Sequence, residues 1–155
     1  MWVPPEEKDP VVFHHPGRKS VGYFGAVRIR DGKFVYLRES CKFNGVSFHV
    51  FLKKLWRISS RTGRRSIIIS DNAKYHHAKI HEDWRREYSP RMTIDFLPPY
   101  SPELNPIERV WKLTRRLCLH NRYFAELDDV VATAENLFNL WTNGNDTLRR
   151  LCAIT

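Results

Sequence analysis

The stretch Leu97-Pro98-Pro99-Tyr100-Ser101-Pro102-Glu103-Leu104-Asn105-Pro106-Ile107-Glu108-Arg109-Val110-Trp111-Lys112 constrains the fold more than any other. Its four prolines fix φ and remove backbone donors, so residues 98–106 predict a rigid, extended connector that is neither strand nor helix. A helix can begin only where the connector ends. Asn105 suits the N-cap, and Pro106 suits the first helical position, where its missing N–H costs nothing. Glu108 then falls at the third position, facing the positive end of the helix dipole. A carboxylate held there has two readings: one half of a capping box, or a metal ligand aimed at a phosphate.

A second carboxylate lies upstream. Ser66-Ile67-Ile68-Ile69-Ser70-Asp71 is a short β-branched run ending in an acid, followed by the polar Asn72 and a helical pattern. It reads as a buried strand whose C-terminal tip presents Asp71, the place where open α/β sheets put ligand-binding groups.

Taken together, Asp71-Asn72-Ala73 with His76, then Leu97-Pro98-Pro99-Tyr100-Ser101-Pro102 and Leu104-Asn105-Pro106-Ile107-Glu108 with Trp111, resemble the DDE transposase catalytic domain of the IS630/Tc1/mariner superfamily. The likeness runs from Trp2-Val3-Pro4 through Gly25-Ala26-Val27 to about Phe124. It implies an α/β, RNase H-like fold, a mixed sheet flanked by helices. In that family three acids serve catalysis: an Asp at the tip of the first strand, an Asp after the fourth and a Glu in a helix after the fifth. Asp71 matches the second and Glu108 the third, as catalytic and metal-binding residues. Asn72 and His76 match supporting positions beside the second acid.

The first acid has no match. In the family it precedes the segment that Trp2-Val3-Pro4 resembles, Asp9 follows that tryptophan, and Asp31 belongs to a hairpin turn. The expectation is therefore a single domain over residues 1–155 that begins downstream of both a helix-turn-helix region and the first, central strand. Loss of that strand would expose two sheet edges. Another chain could fill the gap, Val11 to Phe13 could take the place, or the fragment could be marginally stable. With two of three acids, weak metal binding and little independent strand transfer are expected.

The chemistry implied is in-line phosphoryl transfer on DNA. Two divalent ions roughly 3.5–4 Å apart activate the attacking oxygen and stabilise the leaving one. Mg²⁺ or Mn²⁺ takes hard oxygen ligands, which clustered carboxylates supply. The resemblance thus points to a transposase or integrase-type endonuclease and strand transferase acting on transposon ends and target DNA, with a homodimer compatible with it. A non-catalytic DNA-binding or dimerising remnant is the alternative. An RNase H or repair nuclease on the same fold is a third reading, but the Pro-Tyr-Ser-Pro block has no role in it.

Composition agrees with a polyanionic partner. Of 155 residues, 26 are Lys or Arg against 17 Asp or Glu, a formal net charge of +9. An ordinary basic, solvated surface is the competing explanation. A hydrophobic share of 42% excludes wholesale disorder. Cys41, Cys118 and Cys152 show no paired spacing and read as free thiols of a reducing compartment. No apolar run approaches the roughly 18 residues of a membrane helix, and no signal segment is present, so an intracellular, cytoplasmic protein is expected, nucleoid-associated when bound to DNA.

The remaining patterns predict elements. Met1 to Pro10 reads as an arm, Val11 to Phe13 as a short strand, and Pro16-Gly17 as a turn. Ser20 to Arg30 and Lys33 to Arg38 predict a hairpin closed by the two-residue turn Asp31-Gly32. Ser47 to Ile58 predicts an amphipathic helix, followed by the basic connector Arg61-Thr62-Gly63-Arg64-Arg65, read as a solvated loop or a DNA contact. Ala78 to Tyr88 predicts a helix carrying Ile80 and Trp84, on which His77 and His81 share a face as zinc ligands often do; no third ligand completes a motif. Arg91 to Phe96 predicts the last strand.

The helix from Asn105 is expected to reach about Leu119, with Ile107, Val110, Trp111, Leu117 and Cys118 on one side. Lys112 and Arg115 then share the face of Glu108. Either Glu108 and Lys112 form a stabilising i, i+4 ion pair on an exposed helix, or Lys112 and Arg115, with Arg116, form a track for a DNA backbone. Leu127 to Trp141 predicts a long helix closed by Asn143-Gly144, and Thr147 to Ile154 a short final one.

Overall fold

The computed structural model describes residues 11–14, 20–40 and 42–154. The arm Met1 to Pro10 with Trp2-Val3-Pro4 and Asp9, the Pro16-Gly17 turn, and Cys41 lie outside the described residues. The chain divides into two compact units, one built from residues up to Ser40 and from Pro106 onward, the other from Cys41–Asn105.

The first unit holds three antiparallel strands in the order β1 (Val11–His14), β2 (Ser20–Arg28), β3 (Lys33–Glu39). Val11 pairs with Tyr23 and His14 with Ser20, so β1 occupies the edge of β2 opposite β3. The β2–β3 register runs from Gly22 opposite Glu39 to Arg28 opposite Lys33. That register leaves four residues, Ile29 to Gly32, in the connection, where a two-residue turn was expected. The wider loop has its own closure. Asp31 accepts from the backbone N–H of Lys33 and from the Arg28 guanidinium, Gly32 donates to the Arg28 carbonyl, and Gly32 takes the left-handed φ of 71° that the loop needs.

Three helices complete this unit: α3 (Pro106–Thr114), α4 (Leu127–Leu140) and α5 (Asp146–Leu151). Aromatic rings fill its core. Phe34 meets Trp111, Phe138 and Trp141 with ring centroids 5.0–5.7 Å apart, and Tyr23 meets Phe138 edge-on at 5.2 Å. Such pairs add about 0.5–1.5 kcal/mol each beyond the area they bury. One fit orients α3. A Cβ placed on Gly25 would lie 2.3 Å from the Trp111 ring, so the missing side chain of β2 is the seat of the helix that carries Glu108.

The second unit contains α1 (Gly45–Ser59), β4 (Ser66–Ser70), α2 (Glu82–Tyr88) and β5 (Met92–Phe96). Asn44 caps α1, accepting from Ser47 N–H at 3.0 Å while the Ser47 hydroxyl accepts from Asn44 N–H at 2.9 Å. Strands β4 and β5 are parallel, Ser66 opposite Met92 and Ser70 opposite Phe96.

Two expectations change here. Among the described residues the strands form a three-stranded antiparallel sheet and a two-stranded parallel sheet, not one mixed sheet. Strand β4, expected to be buried, exposes Ile67 at 58% and Ile69 at 43%, because a two-stranded sheet covered on one face leaves alternate side chains uncovered.

The helix expected over Ala78 to Tyr88 also breaks. Ala78 is extended (φ −61°, ψ 140°) and separates a 3-10 turn at Lys74–His77 from a second at Lys79–His81, which leads directly into α2, and Ile80 is exposed. The helical spacing of His77 and His81 is thereby lost. Both ring nitrogens of buried His81 are engaged, Nε2 donating to Tyr75 O at 2.8 Å and Nδ1 accepting from Arg85 at 2.9 Å, while His77 stacks on Phe96. Burial pushes the His81 imidazole below its ordinary pKa, so it packs as a neutral ring.

Candidate active site

Asp71 follows β4 directly. Its backbone turns there because Oδ1 accepts from the Ala73 N–H at 3.0 Å, an Asx turn that stops the strand. The same Oδ1 lies 2.9 Å from Nδ1 of His76, whose side chain is 3% exposed. That nitrogen also lies 3.0 Å from Asp71 O and 2.9 Å from the Ser70 hydroxyl. Carbonyl and carboxylate oxygens only accept, so Nδ1 carries the proton and donates to Asp71. Phe48, at 4.4 Å between ring centroids, and Tyr75 hold the imidazole in place.

The Ala73 N–H thus holds Oδ1, and Nδ1 of His76 lies against the same oxygen. Oδ2 has no hydrogen-bond partner among the described residues, on a side chain one-third exposed. A carboxylate fixed by one oxygen and free at the other suits a hard divalent cation, which a carboxylate can ligate through a single oxygen. No shell of three His, Cys, Asp or Glu groups able to hold a metal occurs among the described residues.

Asn72 does different work. Its side-chain amide donates to Leu97 O, Leu97 N–H donates to Ser70 O at 2.8 Å, and Asn72 Oδ1 lies 3.3 Å from Nε2 of His77. Asn72 ties the ends of β4 and β5 together just beyond their last ladder bond.

In the first unit Glu108 lies in the first turn of α3, half-buried, with Pro106 opening the helix as the proline grammar requires. Arg115, two turns along, is half-buried. Burial lowers its pKa, and the charge of Glu108 opposes that shift, so the two groups sense each other. Lys112 and Arg116 are exposed.

The helix does not run regularly to Leu119. Buried Thr114 donates its hydroxyl to Val110 O at 2.8 Å, and from Arg115 the chain passes into a π turn over Arg115–Leu119, closed by His120 N–H to Arg115 O at 3.0 Å. The wider turn shifts the phase, so Leu117, expected among the buried residues, is exposed while Cys118 is buried. The π turn had no signature in the apolar spacing; the buried Thr114 was the only hint. Asp31, already a poor stand-in for the first catalytic acid, is committed to Arg28 and Lys33.

The family model for DDE superfamily endonucleases matches residues 1–131. The chain belongs to that family. Among relatives of this DDE superfamily member, a protein of Sinorhizobium fredii (strain NBRC 101917 / NGR234) named "Uncharacterized protein y4pE/y4sA" is 37% identical over 109 residues, covering 70% of this chain and 75% of the relative. The catalytic domain of Mos1 mariner transposase superposes with TM-score 0.70 at 18% identity, over 93% of this chain and 72% of that one. The Mos1 strand transfer complex gives 0.65 at 18% identity, over 98% and 44%. At such identity the likeness speaks for the fold alone: the DDE superfamily member has the mixed α/β, RNase H-like architecture of a mariner transposase catalytic domain. Among the described residues, no helix is long and apolar enough to cross a membrane.

Proposed function

We propose that this chain belongs to the catalytic machinery of a transposase, cleaving and joining DNA with Mg²⁺ or Mn²⁺. Asp71 and Glu108 are its metal-binding catalytic carboxylates, Asn72 and His76 support the first of them, and Lys112, Arg115 and Arg116 lie along the DNA backbone. When bound, the divalent cation supplies the charge that activates an attacking oxygen and stabilises the leaving one. The chain's own part is positional. His76 and the Ala73 N–H fix one oxygen of Asp71, and β4 carries that carboxylate at its C-terminal tip. Glu108 is held by the helix start that Pro106 opens and by the packing of Trp111 into the space at Gly25.

The observation that carries the reading is the division of Asp71 into a fixed oxygen and an open one, in a chain of the DDE superfamily. The test is a titration with Mn²⁺ followed by melting temperature. Wild type is expected to be stabilised by mass action, and Asp71→Asn to lose the shift. An equal shift in both would remove Asp71 from the metal.

One observation favours a second reading, a DNA-binding or dimerising remnant without catalysis: the absence of a three-ligand shell among the described residues. A remnant binds DNA and shows no Mn²⁺-dependent shift in wild type.

A further inference from the structure

Between Glu39 and Asp71 the sequence contains no Asp or Glu, while Lys and Arg recur throughout. The exposed members are Lys42, Lys53, Arg57, Arg61, Arg64 and Arg65. None of these six forms an ion pair among the described residues. Elsewhere several cations are matched locally: Arg28 with Asp31, Arg86 with Glu82 and Asp83, Arg149 and Arg150 with Asp146. Compensation of the α1 dipole accounts for Arg57 in its last turn, but the dipole fades within that turn and leaves Arg61, Arg64 and Arg65 unexplained.

Those three arginines sit on a built turn. A 3-10 turn over Ser60–Thr62 follows α1, the Thr62 hydroxyl donates to Ser59 O at 2.8 Å and accepts from Arg64 N–H at 3.2 Å, and Gly63 N–H donates to Ser60 O at 3.3 Å. Gly63 takes φ 67°, and a Cβ there would meet nothing within 4 Å, so the backbone at the apex is open to close approach. The turn enters β4 at Ser66, the end of the strand opposite Asp71. Six residue steps at roughly 3.3 Å place Arg65 about 20 Å from Asp71, or roughly six phosphates along one strand of duplex DNA.

We propose that Arg61, Arg64 and Arg65 form a phosphate-binding turn that grips the backbone of duplex DNA at a distance from Asp71. The inference rests on the DNA-acting function proposed above and adds a binding surface to it. The partner is a regular polyanion, because three unpaired guanidiniums offer forked donors that match phosphate oxygens without reading bases.

The test uses the full chain and a fluorescein-labelled random-sequence duplex, with anisotropy measured over a range of KCl concentrations. In the triple variant Arg61→Gln, Arg64→Gln, Arg65→Gln, the slope of log K against log salt should become shallower by about 2–3, near 0.9 for each phosphate that is no longer neutralised. Arg64→Gln alone, which disturbs the turn least, should lower it by about 0.9. The double variant Arg149→Gln, Arg150→Gln removes cations already paired with Asp146 and should keep the wild-type slope. Wild-type slope and affinity in the triple variant would overturn the turn's role while leaving the DNA-acting function standing. Failure of wild type to bind the duplex would overturn both. Loss of binding to phosphatidylserine vesicles with DNA affinity intact would overturn it in favour of a membrane surface.

Discussion

Nδ1 of His76 lies 2.9 Å from Oδ1 of Asp71, inside the fold, and directs the other oxygen of that carboxylate to whatever binds there. The contact makes His76 a positioning residue whose effect can be separated from its packing. His76→Asn keeps an amide donor near the place of Nδ1, whereas His76→Leu fills the space without one. Mn²⁺ affinity measured by electron paramagnetic resonance should fall about 10–100-fold in the Leu variant and be largely retained in the Asn variant. Equal loss in both would reduce His76 to a ring packed on Phe48.

The seat at Gly25 gives a stability prediction. Gly25→Ala drives a methyl group to 2.3 Å from the Trp111 ring, which is itself fully buried in a packed core. Destabilisation of about 1–3 kcal/mol is expected in urea unfolding. Combining it with Trp111→Phe, which shortens the ring, should recover part of that loss; a double variant no better than the sum of the singles would place the strain elsewhere.

Asp31 gives a pH dependence. Its hydrogen bond to Arg28 chiefly, with the Lys33 N–H and nearby charge, lowers its carboxyl pKa from 3.8 to about 2. A carboxylate depressed by folding stabilises the native state above its unfolded pKa, and the contribution is lost as pH falls through the folded one. The stability advantage of wild type over Asp31→Asn should be full at pH 7, decline below about pH 4 and vanish near pH 2. An advantage that persists at pH 2 would assign it to the loop's shape instead of its charge.

The thiols give a reactivity prediction. Cys118 and Cys152 are buried, burial raises both pKa values, and that of Cys152 reaches about 11 despite the lowering influence of Arg109. In a Cys41→Ser background both should resist 5,5′-dithiobis(2-nitrobenzoic acid) until the protein unfolds. Prompt labelling of a native thiol would mean that the core opens locally.

Which parts could be read in advance follows from how local their causes are. The start of α3 was legible because proline and capping rules act within one turn, and so was the period-three and period-four pattern of α1, with Phe48, Phe51 and Leu52 inside. Asp71 was legible as the tip of a β-branched run. The role of Asn72 was not, since its amide reaches the carbonyl of Leu97, a partner that exists only after β4 and β5 align. The break at Ala78 and the π turn after Thr114 escaped for a related reason: apolar spacing assumes one unbroken helical phase, and both sites change it. Strand β4 looked buried because three isoleucines in a row carry no information on how many neighbours the strand will have.

The unit that carries Glu108 is assembled from two separated stretches, with the whole of Cys41–Asn105 encoded between them. During synthesis at roughly 5–20 residues per second, β2 and β3 therefore wait several seconds for Trp111, Phe138 and Trp141 to arrive. The intervening stretch finds its partners close by and can settle first. A nascent chain stalled when Asn105 has just cleared the ribosome should hold the Asp71 turn in native form while the apolar faces of the early hairpin stay open to a chaperone.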